Sequence, residues 1–377
     1  MKRASQLALL AALAGAALHL QLLPTARREA SDLPLYLDSS LRWATGEAPY
    51  REIPFEYPPA ALLLLRVPLH LAAAVQGKYE DAFALWMALF DALALFAAFL
   101  AGDTPRRRWA ALCTVWVALA LCASVLHTRF DLAVGALMVL AVALLNLRRP
   151  GAAGAALGVA AALKLYPLAI APALAVSAWR AGGLRKALLC GALAALLVSL
   201  PAGLAGGAAT WTFFGYHWQR GVQLQSLWAA VILVAQPGVK VVHAFGAEQL
   251  AEAPRWLGPL SLLLQLGAGL GAAWAALRGL PSRAAAFAAF AGFVAFGKVG
   301  SPQFLCALAP LAAVEVPWAA AALLGSCALM AWEFPAHYGA LFHNQGPWAR
   351  VVLARMVLLG AAAIALVLRR GSLKPEP

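Results

Sequence analysis

Residues 187–204 read ALLCGALAALLVSLPAGL and contain no charged side chain. The stretch lacks the alternation of apolar and polar residues that a membrane β-strand shows. Similar Ala/Leu/Val runs recur through the chain, in which 63% of the residues are hydrophobic and only 12% are charged. A soluble globular protein needs more polar surface, and in a bilayer the backbone must satisfy its own hydrogen bonds. The sequence therefore predicts an all-α, polytopic transmembrane protein.

The net charge of +13 does not indicate nucleic-acid binding, because the basic residues are scattered at the ends of apolar runs and do not form one stripe with aromatic residues. No nucleic-acid partner is predicted. Basic residues accumulate in the cytoplasmic loops of membrane proteins, so these clusters mark the cytoplasmic side. On this basis both chain termini are predicted to lie in the cytoplasm. The marks are Lys2–Arg3, Arg106–Arg108, Arg148–Arg149, Arg180–Lys186, Arg278–Arg283 and Arg369–Arg370.

The apolar runs predict about twelve membrane helices in a single domain, residues 1–377. The run Ala60–Val75 is interrupted by Arg66, Pro68 and His70, and is interpreted as a segment that dips into the membrane. The other runs are Leu7–Leu23, Phe83–Ala101, Trp109–Leu126, Leu132–Leu147, Gly151–Leu163, Leu165–Trp179, Ala187–Leu204, Trp256–Leu277, Ala284–Phe296, Phe304–Val314, Trp318–Trp332 and Val351–Leu368.

This topology leaves two long external loops with juxtamembrane helices, at residues 24–81 and 205–255. The first loop holds most of the polar residues of the N-terminal third, which points to chemistry on the outer face. In it Asp32 precedes Pro34, and a helix that begins here would put Asp32 and Tyr36 one turn apart on one face. A carboxylate so placed could deprotonate a hydroxyl. The alternative is that Asp32 is only a helix N-cap.

The order of short polar motifs resembles that of glycosyltransferase family 87 over nearly the whole chain. The first loop contributes Asp32–Leu33, Tyr36, Gly46, Pro49–Tyr50 and Tyr57–Pro59. The downstream pieces are Arg129–Asp131, Lys164–Pro167, Tyr216–His217, Arg220–Gly221, Gln225–Ser226, Lys298–Val299 and Ser301–Gln303. Each piece alone is weak, but their common order on the predicted external face is specific.

The resemblance implies a GT-C type enzyme of the cytoplasmic membrane, with a polyprenyl-phosphate sugar donor and catalysis at the outer face. Asp32 matches the family's acidic residue in the first external loop, and is expected to act as the general base on an acceptor hydroxyl. Relatives use mannose donors, so a hexose, with mannose favoured, is expected to move to a lipid or glycan acceptor on the outer face. The surrounding membrane lipids are expected as further partners. A transporter or lipid-linked-sugar flippase is the alternative function, and a non-catalytic membrane subunit is a third.

A phosphate whose charge grows as the sugar leaves needs cations near the membrane interface. Four residues at external helix ends or in external loops are candidates for this role: Lys164, His217, Arg220 and Lys298. Snorkelling to the interface is the alternative for both lysines, and an ordinary loop residue is the alternative for His217. Arg129 and Asp131 are expected to pair with each other.

The remaining candidates are side chains that could contact substrate. Aromatic anchoring at the interface is the alternative for the tyrosines, and a helix break for the segment around Pro302. These candidates are Tyr36, Tyr50, Tyr57, Tyr166, Ser226, Ser301, Gln303 and His337. The five cysteines lie in apolar segments without CxxC spacing and are interpreted as packing residues. Neither a metal site nor a cofactor is predicted.

Overall fold

The computed structural model describes residues 2–22, 31–236, 238–344 and 346–369, and within these ranges the chain is mainly helical. The α-helices are α1 (Lys2–Leu20), α2 (Leu33–Ala44), α3 (Pro59–Val75), α4 (Tyr79–Leu100), α5 (Pro105–Leu121), α6 (Ala123–Leu126), α7 (Asp131–Asn146), α8 (Pro150–Leu163), α9 (Ala171–Arg180), α10 (Leu184–Gly206), α11 (Thr212–Gln219), α12 (Leu227–Ala235), α13 (Leu257–Leu277), α14 (Ser282–Phe296), α15 (Gln303–Leu308), α16 (Pro317–Glu333), α17 (Tyr338–Phe342) and α18 (Trp348–Leu368). Short 3-10 segments cover Tyr166–Ile170, Gly207–Trp211 and Ala309–Leu311.

Five helical segments of the described chain are long and apolar enough to cross a membrane: Arg3–Leu20, Tyr79–Leu100, Leu184–Gln219, Leu257–Leu277 and Trp348–Leu368. Shorter apolar helices accompany them, at Pro59–Val75, Asp131–Asn146, Pro150–Leu163 and Ser282–Phe296. The predicted helical membrane protein is therefore confirmed. The number of about twelve crossings and the sidedness of the loops stay predictions.

The helices begin and end close to the limits of the apolar runs, because charged and Pro/Gly-containing segments separate the runs. The run Ala187–Leu204 lies inside α10, and Phe83–Ala101 nearly coincides with α4. The interrupted run Ala60–Val75 is one helix, α3, with Pro68 inside it. Whether α3 dips into the membrane stays a prediction. The start of the first loop, residues 23–30, lies outside the described residues.

A β-hairpin corrects the all-α prediction. Strands β1 (Val241–Ala244) and β2 (Ala247–Leu250) pair antiparallel within the second loop, with Val241 opposite Leu250. The two connecting residues, Phe245 and Gly246, both have positive φ, at 52° and 66°. Two-residue hairpin turns prefer this conformation, and glycine adopts it at little cost. The hairpin is a small local addition to a helical fold.

Close approach of two backbones joins α8 to α10. A side chain at Gly154 would place its Cβ atom 1.9 Å from the carbonyl oxygen of Ala187, and one at Gly158 would meet that of Gly191 at 2.1 Å. Small residues four apart allow such contacts between membrane helices. Only 6% of the apolar window around α10 is buried inside the protein, so α8 is its main support.

The chain bends after α10 at Gly207, whose φ of 56° and ψ of −137° lie outside the helical region and are readily adopted by glycine. A short 3-10 segment and then α11 follow the bend. Three aromatic side chains of this part, Trp211, Phe214 and Trp218, are 68%, 46% and 77% exposed. The bend therefore redirects the chain and leaves α11 with an exposed aromatic surface.

Candidate active site

Asp32 immediately precedes α2, and Pro34 occupies the first turn of that helix. A proline is well tolerated there because the first-turn amide has no partner within the helix. The Asp32 side chain makes no capping hydrogen bond, and the hydroxyl of Tyr36 donates to its Oδ2 atom over 3.3 Å. The prediction that Asp32 and Tyr36 share one helix face is confirmed. The carboxylate does not serve as the N-cap of α2.

The second partner of Asp32 is Arg129, whose guanidinium forms an ion pair with the same Oδ2 atom. The two side chains are 23% and 14% exposed, so the pair is partly open to its surroundings. Arg129 lies between α6 and α7, where the hydroxyl of Thr128 donates to the carbonyl of Ser124. Among the described residues, both of these contacts of Asp32 use its Oδ2 atom.

Asp131 does not form the pair with Arg129 that its position in the sequence suggests. Its Oδ2 atom accepts from Nζ of Lys164 at 2.8 Å, and its Oδ1 atom accepts from the Tyr166 hydroxyl at 2.9 Å. Asp131 is 0% exposed and Lys164 is 6% exposed. Lys164 thus carries a buried charge that is compensated by Asp131, and it does not snorkel to the interface.

Aromatic rings surround this buried ion pair. The ammonium of Lys164 lies 4.7 Å from the ring centroid of Tyr57 and 4.3 Å from that of Phe130, within the range of a cation–π contact. Phe130 also packs edge-on against Tyr36, with the centroids 5.5 Å apart. The hydroxyl of Tyr50 donates to the carbonyl of Tyr57.

All four candidate tyrosines are buried, with 0% to 8% of each residue exposed: Tyr36, Tyr50, Tyr57 and Tyr166. They therefore do not have the exposed positions of interfacial anchors. Their contact with substrate stays a prediction. In the structure Tyr36 binds Asp32, Tyr166 binds Asp131, and Tyr57 lies against Lys164.

Lys298 holds the segment that follows α11. Its Nζ atom donates to the carbonyls of Trp218 and Arg220, at 3.1 and 2.6 Å, and its own carbonyl accepts from the amide of Gln223. Burial lowers the pKa of Lys298, and the positive charge of Arg220 lowers it further. Lys298 therefore positions the backbone that carries Arg220, and its contact with a phosphate stays a prediction.

Arg220 and His217 each interact with another charged residue of the candidate site. Arg220 interacts electrostatically with Arg129, and Glu56 interacts with both His217 and Lys164. Glu56 was not selected from the sequence, although it directly precedes the motif Tyr57–Pro59 and is partly buried. The available signal was an acidic residue between two aromatic residues, Phe55 and Tyr57.

The other sequence candidates have structural contacts of their own. The Ser226 hydroxyl is fully buried and caps α12 by accepting from the amide of Ala229 over 3.1 Å. The His337 ring stacks on Trp348 with centroids 3.9 Å apart. Gln303 begins α15 and Ser301 precedes it, so the interruption at Pro302 is the start of a helix. Substrate contacts of Ser226, Ser301, Gln303 and His337 stay predictions.

The chain is similar in sequence to a known protein family. The model of glycosyltransferase family 87 matches residues 55–302, which include Glu56, Arg129, Lys164, Arg220 and Lys298. Asp32 lies before the matched range and His337 lies after it. No curated protein and no solved structure matches the chain.

Proposed function

The chain belongs to glycosyltransferase family 87, and from this premise we propose that it transfers a hexose, with mannose as the proposed sugar, from a polyprenyl-phosphate donor to a lipid or glycan acceptor. The family supports an enzyme that transfers a sugar. The single observation that carries the choice of catalytic group is the Asp32 carboxylate, partly exposed, with its Oδ2 atom bound by Arg129 and Tyr36. That arrangement fixes the orientation of Oδ1.

In this proposal Asp32 is the general base. Its Oδ1 atom accepts the proton of an acceptor hydroxyl while the hydroxyl oxygen bonds to the anomeric carbon of the donor sugar. The bond from that carbon to the phosphate oxygen breaks, and its electron pair leaves with the polyprenyl phosphate. Attack from the face opposite the phosphate inverts the anomeric configuration. Atoms and charge balance without any further reactant.

The leaving phosphate is proposed to bind between Arg129 and Arg220. Their charges interact in the protein, and an anion placed between two guanidinium groups would stabilise both. Lys298 orients Arg220 through the backbone and has a third ammonium proton to offer. His217 and Lys164 complete the proposed cationic surface, with Lys164 acting from its buried position beside Asp131.

The reaction is proposed to take place on the outer face of the cytoplasmic membrane, with about twelve crossings and both termini in the cytoplasm. The distribution of arginine and lysine supports this orientation. The site residues lie at helix ends and between helices: Asp32 before α2, Arg129 before α7, Lys164 after α8 and Arg220 after α11. The lipid part of the proposed donor stays in the bilayer, so its phosphate needs a binding site near the ends of membrane helices.

The test compares transfer of radiolabelled mannose from polyprenyl-phosphate-mannose into membrane lipids and glycans by wild type, Asp32→Asn and Asp38→Asn. Asp38 is a matched control, because it lies on the same helix with 61% of its side chain exposed and only a 3.8 Å contact to Arg42. We expect Asp32→Asn to lose transfer and Asp38→Asn to keep it.

Full activity of an equally expressed Asp32→Asn protein would remove Asp32 from the mechanism. No transfer by wild type from any polyprenyl-phosphate sugar would contradict the donor class, and transport assays would follow. Reporter fusions that place the segment after α1 in the cytoplasm would contradict the proposed orientation.

A further inference from the structure

A buried carboxylate with two histidine neighbours lies beneath the candidate site and has no part in the chemistry described so far. Asp91, in the middle of α4, is 0% exposed, and its Oδ2 atom lies 2.7 Å from Nδ1 of His19 and 3.4 Å from Nε2 of His127. His19 and His127 are 1% and 2% exposed. Three elements therefore meet at one side chain: α1, α4 and the segment before α7.

The contacts of His19 fix its ring against Asp91. Its Nε2 atom lies 3.1 Å from the carbonyl oxygen of Trp116, which can only accept a hydrogen bond, and its Nδ1 atom faces Asp91. Both contacts are satisfied when each ring nitrogen carries a proton, or when Asp91 carries one. The ring also stacks on Trp116, with the centroids 5.3 Å apart. His19 is thereby fixed, and it fixes Asp91.

His127 connects the cluster around Asp91 to the candidate site. It opens the segment 127–130, in which Arg129 pairs with Asp32 and Phe130 packs against Tyr36. Phe83, which also packs against Tyr36, precedes Asp91 by two helical turns, so the cluster lies about 12 Å below that ring along α4. The segment therefore reaches Asp91 through the 3.4 Å contact of His127 and reaches the proposed base through Arg129.

We propose that Asp91 is a positioning residue that, through His127, sets the place of Arg129 opposite Asp32. The inference rests on the proposed function, because it concerns the geometry of the proposed base. A contribution to folding stability does not explain this cluster well. Well-packed apolar residues stabilise the interior of a membrane protein at least as well as a buried ion pair does. A displacement of a catalytic group by about 1 Å can reduce the rate by about 10²-fold. A residue that only positions Arg129 can therefore affect catalysis strongly.

Two measurements test the proposal on the full chain in detergent micelles. Hydrogen–deuterium exchange of residues 122–131 reports the order of the segment without any need for activity. Steady-state transfer gives kcat and KM for Asp91→Asn and for His127→Leu, which leaves the His19–Asp91 contact in place. The matched control is Glu315→Gln, because Glu315 also accepts from a buried partner, Arg283, in a different region of the protein.

We expect faster exchange of residues 122–131 and about 10²-fold lower kcat in Asp91→Asn and His127→Leu, with neither change in Glu315→Gln. In an Arg129→Lys background the loss caused by Asp91→Asn should shrink to less than about threefold, because the residue it positions is already altered.

Unchanged exchange in both variants would overturn the proposal, as would unchanged kcat in a protein that still requires Asp32. Equal losses of kcat in Asp91→Asn and Glu315→Gln would reduce Asp91 to a folding role and also overturn it. Failure of the wild type to transfer sugar would instead contradict the proposed function, and the exchange measurement would still decide whether Asp91 holds the segment.

Discussion

Arg129, two residues before the start of α7, forms an ion pair with Asp32, directly before α2. We expect Arg129→Gln to lower kcat by about 10²–10³-fold, because in the proposed mechanism it removes a fixed charge from the position where negative charge develops on the leaving phosphate. Steady-state transfer kinetics measure the loss. The exposed Arg350 serves as the control, and its Arg350→Gln variant should keep the wild-type rate. Equal rates for the two variants would remove Arg129 from the mechanism.

The buried pair of Asp131 and Lys164 predicts a non-additive pattern of stability. Asp131→Leu or Lys164→Met alone should lower the free energy of unfolding by about 3–5 kcal/mol, because each leaves a buried charge without its partner. The double variant should recover much of this loss, since neither charge then remains. Thermal unfolding in detergent measures all three proteins. Additive losses in the double variant would show that the two side chains are not coupled.

The contact between α8 and α10 predicts a steric effect of one methyl group. Gly154→Ala should lower the melting temperature, because the new Cβ atom would lie 1.9 Å from the carbonyl oxygen of Ala187. Gly203→Ala is the matched control within α10: a Cβ atom there meets nothing within 4 Å, and alanine favours a helix over glycine by about 1 kcal/mol. A Gly154→Ala protein as stable as Gly203→Ala would mean that the helices separate without cost.

The β-hairpin and the segment between α16 and α18 are joined by a hydrogen bond that depends on pH. Burial alone would raise the pKa of Glu248, but hydrogen bonds from Tyr338 at 2.6 Å and His243 at 3.0 Å lower it below the ordinary value. A lowered pKa in the folded state stabilises the protein above the unfolded-state pKa, about 4.3, and this contribution is lost as the pH falls through the folded-state value.

The deficit in melting temperature of Tyr338→Phe relative to wild type should therefore be largest near neutral pH and shrink below about pH 4. Tyr79→Phe is the control, because its hydroxyl donates to the carbonyl of Leu65, which does not titrate in this range. The Tyr79→Phe deficit should not change with pH. A Tyr338→Phe deficit that is equally constant would show that Glu248 is not the group responsible.

Much of the helical architecture could be predicted because the apolar runs are long and charged or Pro/Gly-containing segments separate them. The relation of Asp32 to Tyr36 followed from local helical spacing, with Pro34 as the start signal. The hairpin was not predicted, since four-residue strands give too short a pattern within an apolar region, and only Gly246 signalled the turn.

Long-range pairing was the part that local patterns could not supply. Arg129 and Asp131 are two positions apart, and the fold directs them to different partners, Asp32 and Lys164. Asp91 stands alone in a long apolar run, and its partners come from α1 and from the segment before α7. These residues meet because the helices pack against each other. Residue spacing within a single helix cannot predict such contacts.

The bend at Gly207 has a consequence for how deep in the bilayer the reaction takes place. The segment Leu184–Gln219 would be about 54 Å long as one straight helix, whereas the hydrocarbon layer is about 30 Å thick. If the bend ends a membrane crossing, the exposed rings of Trp211 and Trp218 suit the headgroup region. In the proposed orientation the depth of His217 and Arg220 would then be set by the lipid surface, so that a thinner or thicker bilayer would move this edge of the proposed site with it.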